Sequence, residues 1–419
     1  MQRNQGCNPL DHQMARRQFL AGTASGALGL GVLNSSATAE KLQSQHRRIL
    51  QVYLQGGVSQ LESWDPKPGT EFGGPFRAIP TSVPGIHISE LLPQTAKRMH
   101  LLSIVRSINL KTNDHTQGRL FMEKGRRAGE YPYIGSIASK YLAPKNSELP
   151  GYIHISTRGL PDATSAFLGA QHGQLKFEGV KPPSNLAAPK GLNQSADARR
   201  NQFRLQLNKQ FGLGRSKSLT ESFDASFQQA EKLMARKAFF EKAPAEQDLA
   251  RYGKHDFGRN CLLARTLLEN GATCVKVTHH GYDSHAENFN FHLEQLGECD
   301  TPFSMLLDDL HERGMLDSTL VMIYSEFGRT PKINVRYGRD HWGTAWSIAL
   351  GGCGIQPGAV IGKTNEKGTA VADREVDAGH LFHTTLQALG IDPKSDHDIA
   401  GRSIPIGDPT AESIKELLA

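Results

Sequence analysis

Long apolar runs, a strong net charge and paired-cysteine motifs are all missing from this chain, and each absence removes a class of function. After the amino-terminal segment no stretch reaches the roughly 18 uninterrupted apolar residues needed to cross a bilayer, so no transmembrane segment is expected in the mature chain. The formal charge is only +6 over 419 residues, with 48 basic and 42 acidic side chains scattered along it. A nucleic-acid partner needs a concentrated basic face and is not expected. The five cysteines show no CxxC spacing, which argues against a zinc knuckle and implies no disulfide framework. Cys261 and Cys274 sit in apolar runs and read as buried small hydrophobes. What remains is an ordinary globular composition, 38% hydrophobic and 21% charged, sized for one large α/β domain with insertions.

The amino terminus carries an address. Arg16-Arg17-Gln18-Phe19-Leu20 precedes a Gly/Ala-rich apolar run to Leu33, and Ala37-Thr38-Ala39 offers a small-residue cleavage site before Glu40. Residues 1–39 read as a twin-arginine export signal and 40–419 as the mature domain, periplasmic or secreted. Such export carries proteins already folded, often with a metal or cofactor in place.

Along the mature chain, strands and helices alternate, and chemically active residues fall just after the strands. Arg48–Leu54 is an apolar strand ending in Gln55-Gly56-Gly57, with Asp65 further on as a turn residue or a site carboxylate. The segment 91–99 reads as a helix and Leu101–Val105 as a second strand. A helix then starts near Asp114 or Thr116 and places His115 at its amino end. Residues 152–156 form a strand, and the polar amphipathic segments within 180–259 read as a helical insertion or lid. A helix ends at Glu269, and the strand Thr273–Thr278 runs into His279-His280-Gly281-Tyr282-Asp283-Ser284-His285. This cluster suits zinc or manganese, with Asp283 and His285 able to share one side of an extended loop. The alternative for a single histidine is a structural hydrogen bond, and His279 is the one expected to make it.

A helix over 289–313 leads into the buried strand Leu320–Tyr324, whose carboxyl end carries Ser325 and Glu326, followed by Asp340-His341 on the next loop. Glu326 is either a site acid or the partner of Arg329 or Arg339 in a structural ion pair. Residues 347–350 form a further strand, and 376–391 a helix with Asp377 at its start. The pattern calls for a doubly wound, mostly parallel α/β sheet with helices on both faces and one site at the carboxyl edge of the strands.

With these patterns in order, the chain resembles the alkaline phosphatase and sulfatase superfamily, and within it a twin-arginine-exported, sulfatase-like family of unknown function. Leu316 through Gly328 is similar to the sulfatase segment "DTLVVFTSDHG", 377–391 to its "DLxPTLLxLAGI" helix, 92–102 to "NLDRLAKEGVRF" and 115–125 to "CxPSRAALLTG". The chain departs from the pattern at three places. Gly56-Gly57 stand where the family has paired acids, Phe327 where it has a second metal ligand, and His115, with Thr116 beside it, where it has the formylglycine cysteine or phosphatase serine. A hydrated-aldehyde nucleophile therefore cannot form.

The resemblance implies metal ligation by Asp283, His285, Glu326 and His341, with His280, Asp340 and Asp65 as further candidates and zinc, manganese or calcium as the ion. It implies catalytic roles for His115, Thr116 and Arg119, and oxyanion contacts from Arg119, Arg329 and Arg339. The substrate would be a small anionic ester or a sulfated or phosphorylated glycan, hydrolysed with metal assistance. The second reading is a degenerate member that binds an anionic glycan or an envelope partner without turnover.

Overall fold

The computed structural model describes residues 36–127, 129–159, 165–183, 186–187, 190–213, 217–399 and 401–419. The expected export signal up to residue 35 lies outside them, and the first helix among the described residues, α1 (Ser36–Ser44), runs across the expected cleavage point.

Eight strands form one sheet: β1 (Arg48–Leu54), β2 (Leu102–Ile108), β3 (Tyr152–Ser156), β4 (Leu175–Glu178), β5 (Cys274–His279), β6 (Thr319–Tyr324), β7 (Trp346–Gly352) and β8 (Val360–Ile361). Their spatial order is β8-β2-β7-β6-β1-β5-β3-β4. Every pairing is parallel except those of β7, which runs antiparallel to both β2 and β6. The expected mostly parallel sheet is therefore present. The edge strands β4 and β8 are too short to show a period in sequence.

Central strands of a parallel sheet are covered on both faces, which requires near-continuous apolar runs. β5 and β6 are buried at every position and β1 at all but Arg48. Alternate residues point to opposite sides. Ile49, Tyr53, Leu320, Met322 and Tyr324 share one core with α2 (His115–Lys124), α3 (Ile134–Leu142) and α8 (Ala378–Ala388). Leu50, Val52, Leu54, Val275, Val277, Val321 and Ile323 lie in the other, and helices α6 (Asp256–Glu269) and α7 (Asn288–Glu312) close it. Between α3 and α6 the chain adds the helical hairpin α4 (Gln194–Gly212) and α5 (Lys217–Ala235) within the expected insertion, clasped by Arg204 on Asp224 at 2.6 Å.

The expected helix over 91–99 is only a four-residue turn of helix, Pro93–Ala96, followed by a 3-10 turn. Pro93 can stand only in a first turn, and the chain must straighten into β2 at Leu102. The short helix survives because Asp300 of α7 accepts from the backbone N–H groups of Gln94 and Thr95 at 2.7 and 2.8 Å.

Register sets the site. Leu54 pairs with His279 and Tyr53 with Tyr324, so the tips of β1, β5 and β6 end level with one another. The loops that leave them, carrying Gly56-Gly57, His280–His285 and Ser325-Glu326, share one crevice at the carboxyl edge.

Candidate metal centre

Local structure brings the side chains of this crevice together. Asp114 caps α2 by accepting from the Gln117 N–H at 2.8 Å, and this helix start presents His115 over the strand tips. After β6 the chain pairs Gly328–Arg329 with His341–Trp342 in a short antiparallel ladder, which returns His341 to the tip of β5. Asn334 ties this excursion down, donating to the His285 carbonyl and to Asp340, each at 3.1 Å.

Three atoms converge. His285 Nε2 lies 2.9 Å from His341 Nε2, and Asp283 Oδ1 lies 3.1 Å from the first and 3.2 Å from the second. Both imidazoles are held from behind. His285 Nδ1 faces Asp340 Oδ1 and His341 Nδ1 faces the Asn113 carbonyl, each at 2.7 Å. Those partners only accept, so both Nδ1 atoms carry hydrogens and both Nε2 atoms present lone pairs. Two lone pairs at 2.9 Å beside a carboxylate repel one another unless a proton or a cation lies between them. A nitrogen-nitrogen-oxygen set with its outer nitrogens fixed by a carboxylate and a carbonyl suits a borderline divalent ion. The residues therefore fit a metal. His115 also offers a ligand atom, within 4.8 Å of those of Asp283 and His341.

His115 bridges two carboxylates, with Nδ1 2.7 Å from Glu326 Oε1 and Nε2 3.4 Å from Asp283 Oδ2. Burial lowers its pKa, but the hydrogen bonds to Asp283 and Glu326 outweigh that and bring it up to about 9. Burial would raise the pKa of Asp283, yet the hydrogen bonds from His115 and Arg329 and the Arg329 charge hold it far below the usual carboxylate range. Glu326 is buried and accepts from the Gly56 N–H at 2.9 Å, while Ser325 Oγ stands 3.0 Å from its other oxygen. Tyr53 adds a hydroxyl, its pKa pushed well up by burial and by Glu326.

Of the two alternatives for Glu326, the arginine pairing is not the one adopted. Arg339 is fully buried against Glu62, at 2.8 and 3.1 Å, and also donates to the carbonyls of Phe72, Thr330 and Pro331. Arg329, also fully buried, bonds Asp283 Oδ1 at 2.5 Å, Gly57 O at 2.9 Å, Arg339 O at 3.1 Å and Gly56 O. Arg119 turns inward to the Tyr133 hydroxyl at 3.1 Å. Thus each of the three expected oxyanion arginines is engaged by the protein.

The remaining candidates divide. Asp340 orients His285, and Thr116 is exposed on the first turn of α2 beside His115. His280 points elsewhere, between Gln55 and Ser156, where burial and then Arg158 and His279 bring its pKa down to about 4. Asp65 is buried with Lys67, Arg106 and Thr364 and does not reach the centre. His279 takes the structural bond expected of it, to the Tyr282 hydroxyl at 2.9 Å. Asn113, Asn334 and Tyr53 act at the site without having been singled out from sequence. Only the position of Asn113, two residues before a histidine at a helix start, carried any signal.

Residues 46–418 match the family model described as "Protein of unknown function (DUF1501)", and the chain belongs to that family. No curated protein matches it. Among solved structures it is similar to Ps i-CgsB in complex with k-i-k-neocarrahexaose, at 10% identity over 83% of this chain and 72% of that one, with a TM-score of 0.41. It is also similar to the PsFucS1 sulfatase from Pseudoalteromonas sp., at 11% identity over 85% and 72%, TM-score 0.33. A third is the alkaline phosphatase from the Antarctic bacterium TAB5, at 11% identity over 82% and 98%, TM-score 0.33.

Proposed function

We propose that the chain is an exported, metal-dependent hydrolase of sulfate, phosphate or related esters, working in the periplasm or outside the cell. The observation that carries this reading is the convergence of His285 Nε2, His341 Nε2 and Asp283 Oδ1 within 3.2 Å, with both Nδ1 atoms committed to acceptors. These residues would hold the ion, and their nitrogen-rich set favours zinc or manganese over calcium. When bound there, a divalent ion supplies positive charge to an ester oxygen and a site for activating water.

The protein's own residues do the rest. Glu326 fixes the His115 ring through Nδ1 and leaves Nε2 as the atom that exchanges a proton. In the crevice, a protonated Nε2 can deliver that proton to a leaving oxygen. Phe327, within ring-contact distance of His115 and His341, packs the inner wall and keeps water from that side. The target of the Arg16-Arg17 signal is an envelope location, consistent with a small anionic ester or a sulfated or phosphorylated glycan as substrate.

A panel of aryl sulfate, aryl phosphate and phosphodiester substrates tests the reading, assayed with zinc, manganese and calcium. Turnover that needs an added ion and disappears in His285→Ala supports it. No turnover on any of them, with no ion retained by the native protein, would sink it. The engagement of Arg119, Arg329 and Arg339 within the protein favours the second reading, binding of an anionic glycan without hydrolysis. Saturable glycan binding in the absence of turnover would select it.

A further inference from the structure

We infer that this centre holds one divalent ion and not two, because the oxygen-lined position next to the histidine cluster is filled by the Arg329 guanidinium; the inference rests on the metal-dependent reading above. Gly56 O, Gly57 O, Arg339 O and Asp283 Oδ1 converge there, a set of oxygens such as a hard cation takes. The guanidinium meets all of them, Nη2 on Gly56 O and Asp283, Nε on Gly57 O and Nη1 on Arg339 O. It is completely buried, and a guanidinium cannot be deprotonated under any working condition. This charge is permanent, desolvated and bonded through every nitrogen, so an incoming ion would have to break those four bonds and then sit beside the charge it displaced.

Space closes the same position. A Cβ on Gly57 would lie 2.7 Å from the Phe327 ring and 3.2 Å from Arg329 Nε, and one on Gly56 would lie 2.4 Å from the Asp283 nitrogen. Both glycines have positive φ, +119° at Gly56 and +87° at Gly57, where a side chain is strained whatever the room. The tip of β1 therefore supplies backbone carbonyls and no carboxylate. Phe327, fully buried, takes up what room remains.

Arg329 then serves as a positioning residue. Its contact with Asp283 Oδ1 sets the same oxygen that stands 3.1 and 3.2 Å from His285 Nε2 and His341 Nε2. A built-in cation on one side of this carboxylate and an exchangeable one on the other account for why Asp283 contacts so many groups.

The test is ion stoichiometry on the full native chain, loaded with manganese, zinc or calcium, desalted and measured by elemental analysis and by titration calorimetry. One ion per chain is expected, and the manganese form should give the spin-resonance spectrum of an isolated ion. Two ions per chain, or an exchange-coupled spectrum, overturns the inference while leaving the metal reading intact. No ion with zinc, manganese or calcium overturns both. In Arg329→Ala the stoichiometry at high manganese should rise above one, whereas in His285→Ala it should fall towards zero. If Arg329→Ala does not fold, the wild-type stoichiometry and spectrum decide the matter alone.

Discussion

The tips of β5 and β1 are neighbours on one sheet edge, yet they are built in opposite ways. At β5 the Asp283, His285 and His341 side chains are 50%, 38% and 22% exposed, with lone pairs turned toward a common point. At β1 the glycines, Phe327 and Arg329 are sealed from solvent, and every nitrogen of the guanidinium is bonded. A cation that must be acquired needs reachable ligands with unused lone pairs. A cation supplied by the chain needs saturated acceptors and no water. The contrast separates a place for exchange from a place for permanence, a few ångströms apart and sharing one carboxylate.

Arg339→Met should have the largest effect and act on the sealed side alone. It leaves Glu62 buried without its partner, which costs about 3–5 kcal/mol, while ion affinity stays within a few-fold of wild type. Chemical denaturation beside calorimetry checks both halves, and an unchanged stability would break the picture of a sealed layer. On the open side, His285→Ala or His341→Ala should weaken ion binding by more than the roughly 10–100-fold typical of losing a group behind a ligand. Asp340→Ala, which removes the acceptor behind His285 Nδ1, should fall within that roughly 10–100-fold range. If it equals His285→Ala, Asp340 is itself a ligand and the open side extends to it.

The smallest effect is on pH. In the ion-free protein His115 titrates near 9, above the roughly 6.5 of an unfolded histidine. Its contribution to stability is therefore fully present below about pH 6.5 and lost as the pH rises through about 9. The melting temperature of the ion-free protein should fall across that window, and the fall should flatten in His115→Gln. An ion competes with the same proton for Asp283, so loading should also remove the slope. A slope that survives loading would place His115 outside the ion's reach.

Much of the frame was legible because it rests on local chemistry. The apolar runs 48–54, 152–156 and 320–324 announced buried strands, and Asp114 and Asp377 announced helix starts, since capping needs only residues adjacent in sequence. The placement of His115, Asp283, His285, Glu326 and His341 at one sheet edge was legible too, in that all of them follow strands. Edge strands as short as Val360–Ile361 were not, because two residues show no period. Nor were the partners of the arginines. Arg329, Arg339 and Arg119 could be read as anion holders from their proximity to the site, but which acceptor each one takes depends on residues up to hundreds of positions away, such as Gly56 and Glu62.

By itself, then, the sequence determined the strand and helix alternation, the carboxyl-edge location of the clustered histidines and acids, and the presence of Gly56-Gly57 and Phe327 where the resemblance calls for side-chain ligands. Each of these is written in the order and type of neighbouring residues. Only the tertiary structure decided that the glycines leave room for a phenyl ring and a guanidinium, that Glu326 binds His115 and neither arginine, and that two imidazole lone pairs meet over Asp283. Those outcomes depend on register between strands and on the return of the chain at His341. Hydrogen bonds of this kind are satisfied by whichever acceptor packing delivers, and no pattern along the chain encodes that choice.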